Sequence, residues 1–400
     1  MFHFIGEKLK VIFQIYFQRT KKKNKLFNLF KSCQGLFKFF SIKNNKKKIV
    51  FYSESKHYRN YFLELILKLK TKQNFEIIYV TSDINDLNLI DNTIKPIFIG
   101  AVFFRTIFFT ILNCDIMIMT LTDLGNHHLK KSKNCNNYIY IFHSAVSTHL
   151  TYEKESFKNY DIIFANGEYQ RQELIKAEEI YKFPRKKIFN IGYLYHENIS
   201  KRKNLNNELK KNILFAPSWN KSSKNLFNDY SLFIIESLIE NDYFVTLRPH
   251  PELIKKSVKI LKKIKNKFKN NKKFKLNDNL LDLNPFELSQ FIITDNGGVG
   301  LEYSLIYRKP AMYINYAEKV HNLSHKELNI EPIENHFKKN FAYEIDVNEI
   351  KNIPKIISKM DERFKLKIKN LDNFYEKYIS TNKNPSIKAT QIISEILSQQ

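Results

Sequence analysis

Four clusters in this 400-residue chain carry side chains suited to proton and phosphate chemistry. Phe142-His143-Ser144 follows the apolar run YIYI, which places His143 at the C-terminal end of a strand. An imidazole titrates near neutrality and can take a proton from a hydroxyl, and His149 is a second candidate for the same cleft. A histidine at such a place can equally be a packed strand-end residue bonded to backbone. Ala216-Pro217-Ser218-Trp219-Asn220 closes a second apolar run. There Pro217 stops the ladder, Ser218 or Asn220 can cap a following helix, and Trp219 is the only tryptophan. Arg248-Pro249-His250-Pro251 ends the run YFVTL, and its two prolines hold the backbone extended. That fixes where the planar Arg248 fork and the His250 ring project, an arrangement suited to phosphate.

The most informative cluster is Thr294-Asp295-Asn296-Gly297-Gly298-Val299-Gly300-Leu301-Glu302, between the run FII and the helical pattern LEYSLIY. The chain has nine glycines, and three of them fall within these nine positions. Glycines at a strand-to-helix turn let backbone N–H groups approach an anion, and the helix start adds its positive dipole end. The spacing is neither a dinucleotide fingerprint nor a P-loop, since no GK[ST] follows. Glu302, in the first helical turn, is placed to accept hydrogen bonds from a ribose or base. A plain glycine-rich turn with a capping glutamate is the competing reading.

The elements that must hold these clusters alternate along the chain. KIVFYSES (48–55), FEIIYVTS (75–82), CDIMIMT (114–120), YIYIFHS (138–144), YDIIFANG (160–167) and KIFNIGY (187–193) read as strands separated by helical stretches. Continuous apolar strands with helices between them predict a buried parallel sheet. The charged bridge SKRKNLNNELKKN interrupts the rhythm, which restarts with strands at 213–219, 243–250, 273–278, 291–298 and 310–316. The expected division is therefore a basic extension (1–47), one Rossmann-like half (48–199), a linker (200–212), a second Rossmann-like half (213–385) and a terminal helix (386–400) that crosses back onto the first half. Every cluster above lies at a strand end, which is where open parallel sheets bind ligands.

Composition narrows the partners. There are 66 Lys and Arg against 40 Asp and Glu, which favours anionic ligands even after discounting the Lys and Asn excess typical of AT-rich coding. Cys33, Cys114 and Cys135 show no paired spacing, excluding a disulfide framework and a cysteine zinc site and fitting a reducing compartment. No signal-peptide layout opens the sequence, and the apolar stretch 97–121 is broken by Arg105 and Asp115, so a helix and a buried strand fit it better than a membrane span. Residues 1–48 alternate aromatic clusters with Lys runs, the make-up of an interfacial amphipathic segment or of a helical extension packed on the domain.

With these residues in view, the chain resembles the CDP-glycerol glycerophosphotransferase family of teichoic-acid-type polymerases over residues 110–320. FHS at 142 is similar to that family's Trp-His-Gly element, FAPSWN to its Ala-Pro-Thr-Trp-Arg, and LRPHPEL to its Arg-x-His-Pro. IGY at 191 resembles its Gly-Tyr-Pro region, and TDNGGVGLEYSLIYRKPAMYI its Thr-Asp-Tyr-Ser-Ser…Phe-Asp element. Ser144, Asn220 and Asn296-Gly297-Gly298 depart from the family's Gly, Arg and Tyr-Ser-Ser. The resemblance implies a GT-B fold, a CDP-linked polyol phosphate donor, transfer without metal or other cofactor, and a cytoplasmic enzyme attached to the inner membrane face. It implies that His143 activates the acceptor hydroxyl, with His250 as a second catalytic residue. Arg248, Ser218, Thr294, Asn296, Gly297, Gly298 and Glu302 would bind the donor's phosphates and nucleotide. The acceptor would be a membrane-associated glycan or lipid-linked polymer at an anionic surface. A GT-B sugar transferase of capsule or lipooligosaccharide synthesis shares the fold and the clusters. A basic nucleic-acid-binding protein would explain the charge but predicts basic and aromatic residues interleaved on one module, whereas here Lys is spread along the chain.

Overall fold

The computed structural model describes residues 22–73, 75–88, 94–126, 128–202, 211–221, 224–317, 319–379 and 384–399. The start of the basic extension (1–21) and most of the charged bridge (203–210) lie outside the described residues.

The first half is built on seven parallel strands: β1 (Ile49–Ser53), β2 (Ile77–Thr81), β3 (Pro96–Phe98), β4 (Cys114–Met119), β5 (Cys135–Ile141), β6 (Ile162–Ala165) and β7 (Lys187–Asn190). Their order is β3-β2-β1-β4-β5-β6-β7. The second half has β8 (Asn212–Phe215), β9 (Phe244–Leu247), β10 (Phe274–Leu276), β11 (Phe291–Thr294), β12 (Ala311–Asn315) and β13 (Tyr343–Asp346), also parallel, ordered β10-β9-β8-β11-β12-β13. Both orders reverse direction once, between β1 and β4 and between β8 and β11. At each reversal the flanking connections leave the sheet on opposite faces and open a crevice at the strand C-termini. These two doubly wound α/β sheets form the GT-B-type architecture.

The central strands bury both faces, which is why they read as unbroken apolar runs. In β1, Ile49 and Phe51 pack with Phe62 and Leu65 of the helix Arg59–Gln73, while Val50 and Tyr52 join Phe108 and Phe109 on the other face. The helix Pro385–Ser398 returns to the first half, burying Ala389, Ile392, Ile393 and Ile396 against the same cluster as Ile49 and Phe51. Glu197 secures its first turn by accepting from the Ser386 N–H and hydroxyl, both at 2.8 Å. The apolar stretch after residue 96 resolves into β3, the helix Phe103–Ile111 and β4, and among the described residues no helix is long and apolar enough to cross a membrane. Cys114 and Cys135 are buried free thiols facing each other on β4 and β5, with Sγ atoms 3.5 Å apart.

Two strands escape the sequence reading. β3 and β13 are edge strands of three and four residues, the first opening on Pro96 within a longer apolar stretch and the second carrying Glu344 and Asp346. The Lys-rich stretch after 250 forms two helices, Pro251–Lys256 and Val258–Lys267, broken at Ser257.

A third apolar cluster ties the halves together. Ala145, Tyr169, Tyr193 and Ile199 from the first pack with Leu214, Leu301, Tyr303 and Phe337 from the second. The loop after β5 is also clasped by hydrogen bonds: Ser147 N–H donates to Glu334 Oε1 at 3.0 Å, and its hydroxyl accepts from Ile333 N–H at 2.8 Å. The strand ends of the two sheets thus face one cleft.

Candidate active site

Each cluster marked in the sequence sits at one of these strand ends. On the first-half wall, β5 ends at Ile141, Phe142 turns into the core, and His143 points into an aromatic recess. Its ring meets Tyr58 edge-on at 5.2 Å and Tyr61 and Tyr152 at 6.3 Å. Burial pushes its pKa down to about 4, with a smaller push from His57. Its Nδ1 is buried with no partner among the described residues, and the nearby Thr120 carbonyl works weakly against the lowering. Thr120 follows β4 and His57 follows β1, which sets His143 beside the switch point of the first sheet.

Facing it, the second half contributes the loops after β8, β9 and β11. Ser218 N–H donates to Asp295 Oδ1 at 2.7 Å, and the Thr294 hydroxyl donates to the Ala216 carbonyl at 2.8 Å. These bonds lock the β8 and β11 ends side by side at the second switch point. The Ser218 hydroxyl is buried with no partner among the described residues. A Cβ on Gly297 would stand 2.8 Å from Ser218 Cβ, and one on Gly298 would overlap the Val146 side chain from the opposite wall. Glycine is required here by close approach, because side chains at either position would push the loops or the halves apart. Asn296 donates to the Ala317 carbonyl at 2.7 Å and accepts from Lys338 at 3.1 Å.

His250 caps the helix Pro251–Lys256: its Nδ1 accepts from Glu252 N–H at 3.2 Å. In the neutral ring the proton therefore sits on Nε2. His250 is exposed at the cleft edge, and the neighbouring cleft walls and Lys319 push its pKa down. Trp219 stacks beside it at 6.5 Å and also meets His321 at 5.3 Å, while the Lys256 ammonium lies 4.1 Å over the indole.

Arg248 and Glu302 are engaged differently from what the motifs alone imply. The Arg248 fork donates to the Asn277 side chain and to the carbonyls of Asn279, Leu280 and Asp282, each carbonyl at 3.0 Å, and lies over Phe286. Its donors shape the loop after β10. Glu302 Oε1 accepts from Ala145 N–H at 2.9 Å and from the Tyr193 hydroxyl at 2.8 Å, bracing one half against the other. Burial raises its pKa despite these bonds. His149 lies outside the His143 recess. It is wedged between Glu173 Oε1 at 3.3 Å and the Ile330 carbonyl at 3.1 Å, a tie between the halves.

Several cleft residues carried no sequence signal. His57 follows β1 in the way His143 follows β5, and the same strand-end criterion could have found it. Asp295 was inside the marked turn but assigned no part. Lys319, His321 and Glu334 lie in irregular or helical segments amid many similar residues, and only folding sets them at the cleft. Among the described residues no group of three or more His, Cys, Asp or Glu is placed to hold a metal ion.

No family model and no curated protein matches the sequence. Solved structures do. The S. aureus MnaA–UDP co-structure aligns over 88% of this chain and 97% of that one, at 12% identity and a TM-score of 0.60. A Listeria monocytogenes protein described as a UDP-N-acetylglucosamine 2-epimerase aligns over 90% and 98%, at 12% identity and TM-score 0.56. The Neisseria meningitidis UDP-GlcNAc 2-epimerase bound to UDP-GlcNAc aligns over 88% and 100%, at 11% identity and TM-score 0.55. What is shared at these identities is the two-domain fold.

Proposed function

We propose that this protein is a GT-B transferase that passes a nucleotide-activated group to an acceptor hydroxyl, with a CDP-linked polyol phosphate as donor and a cell-surface polymer as acceptor. The observation that carries the reading is the meeting of the two switch points. A histidine held neutral by burial, His143, stands on one wall, and a glycine turn opening a helix stands on the other. Attack by the acceptor oxygen on the donor phosphorus would release the nucleotide monophosphate, and the acceptor proton would pass to the His143 imidazole. The N–H of His250 and the backbone N–H of Gly298 would stabilise charge growing on the leaving phosphate. In a site screened from water such fixed donors are worth more than in solution.

The nucleotide sugars bound in the solved relatives favour a second reading in the same cleft, transfer of a sugar from a nucleotide sugar. The two differ in the atom attacked, phosphorus or anomeric carbon, and in the nucleotide released. Purified protein incubated with CDP-glycerol, CDP-ribitol, CMP-linked and UDP-linked sugars should release CMP from the polyol donors alone. Release of UDP from a sugar donor would replace the first reading with the second, and no turnover with any donor would sink both.

The reading extends to a membrane surface. The helix Lys22–Phe40 buries Ser32, Gly35 and Phe39, with Gly35 so close to the Phe98 carbonyl that a Cβ would overlap it. Its opposite face exposes Phe27, Phe30 and Phe37 to 55%, 67% and 76%, beside Lys31 and Lys38. Aromatics flanked by lysines on the outer face suit an anionic interface.

A further inference from the structure

A cavity of ≈ 430 Å³ lies behind the glycine turn, between the end of β12 and the helix Ile333–Phe341. Its wall includes Asn296 and Gly298 from the turn, together with Lys319, Glu334, Asn335 and Lys338. Two of these side chains are left half satisfied. Glu334 is 8% exposed, and its Oε1 accepts from Ser147 N–H while its Oε2 meets no donor among the described residues. The Lys319 ammonium is hydrogen-bonded to no described residue, and Asp295 and Glu334 act on it only through their charge. Burial lowers the Lys319 pKa and raises that of Glu334, so both charges are held at a cost. Lys338 keeps spare donor capacity too: it bonds Asn296 at 3.1 Å and faces Glu344 at 3.6 Å.

We infer that this cavity is a binding site for a small hydroxyl-bearing anion, a phosphorylated polyol or sugar. Its anionic group lies against Lys319 and Lys338, and a hydroxyl donates to Glu334 Oε2. One ligand of this chemistry satisfies both orphaned charges, whereas a neutral polyol serves only Glu334 and inorganic phosphate only the lysines. The cavity has the volume of a small-ligand site. It shares Asn296 and Gly298 with the turn assigned above to the donor phosphate, so its occupant is the group carried next to that phosphate. This last step rests on the transferase reading, and the binding chemistry of the cavity does not.

Calorimetry on the full chain with glycerol 3-phosphate, glucose 6-phosphate, inorganic phosphate and glycerol tests it, with CMP titrated separately. The phosphorylated polyols should bind at least about tenfold more tightly than either phosphate or glycerol alone. K319M should weaken them by about tenfold. E334Q keeps the acceptor for Ser147 but presents an amide N–H to the cavity, so it should weaken the polyol phosphates and leave inorganic phosphate unchanged. Thermal melts establish that both variants fold. Folded K319M binding the polyol phosphates like the parent overturns the site, as does a parent protein that binds none of them. If CMP fails to bind while Lys319-dependent binding of the polyol phosphates persists, the nucleotide reading falls and the cavity stands.

Discussion

Two neutral histidines stand on opposite walls in different surroundings. His143 lies in an aromatic recess with a buried, unpartnered Nδ1, whereas His250 accepts at Nδ1 from Glu252 N–H and offers an N–H at Nε2. His143→Ala should reduce kcat by about 10²–10⁴-fold, the usual contribution of a positioned base. The nucleotide dissociation constant should be unchanged, and calorimetry showing it lost would move His143 into the donor site. Because burial brings the His143 pKa down to about 4, protonation removes the base only near that pH. The acid limb of kcat/KM should therefore fall near pH 4, and a limb near 6.5 would mean that another group acts. The residues at β5, β8, β9 and β11 ends were legible in the sequence because apolar runs ending in His, Pro, Arg or Gly are conspicuous. Their bonding was not. The Arg248 fork was read as a phosphate clamp, but the carbonyls it meets come from 279–282, which the sequence does not mark as neighbours.

Among the elements, the helix Lys22–Phe40 has two apolar sides for two different reasons. Ser32, Gly35 and Phe39 fall on the side that docks on β3, and Phe27, Phe30 and Phe37 repeat on the far side at helical spacing. Three exposed phenylalanines in water are an unfavourable surface unless something covers them. Substituting all three by serine should abolish co-sedimentation with vesicles of phosphatidylcholine and phosphatidylglycerol and leave the melting temperature near that of the parent. A triple variant that still sediments would show that the lysines alone, or another face, carry the binding. Short edge strands were foreseen where an apolar pattern marked them, as at β7 and β10. β3 and β13 were missed because β3 opens on Pro96 and merges into the apolar stretch that continues as a helix, and β13 carries Glu344 and Asp346.

For the whole molecule, the cleft concentrates imidazoles whose pKa values are depressed chiefly by desolvation, His57, His143 and His321 to about 4, and the exposed His250 ring is pushed the same way. The unfolded chain titrates them near the ordinary 6.5. Between there and about 4 the unfolded state binds more protons, so stability is complete above 6.5 and declines as pH falls through that window. His149 has the opposite sign. Burial alone would lower its pKa, but the hydrogen bond and charge of Glu173 outweigh it and raise the pKa, so its contribution is lost as pH rises. The raised carboxyls of Asp86, Asp295, Glu302 and Glu334 share the sign of His149, so the imidazole share is read by single substitution. With His321→Gln the urea midpoint should fall less steeply from pH 7 to pH 5 than in the parent. A slope equal to the parent's would show that the ring stays hydrated in solution. The sequence by itself determined the two α/β halves and the strand-end position of each cluster, because apolar period and turn chemistry are local properties of the chain. Which of those ends face one another was decided by tertiary structure. The strand orders set the two switch points, and the packing of Ala145 and Tyr193 against Leu301 set the halves face to face. The partners that Glu302 and Glu334 find across that junction are more than a hundred residues distant, beyond the reach of any local pattern.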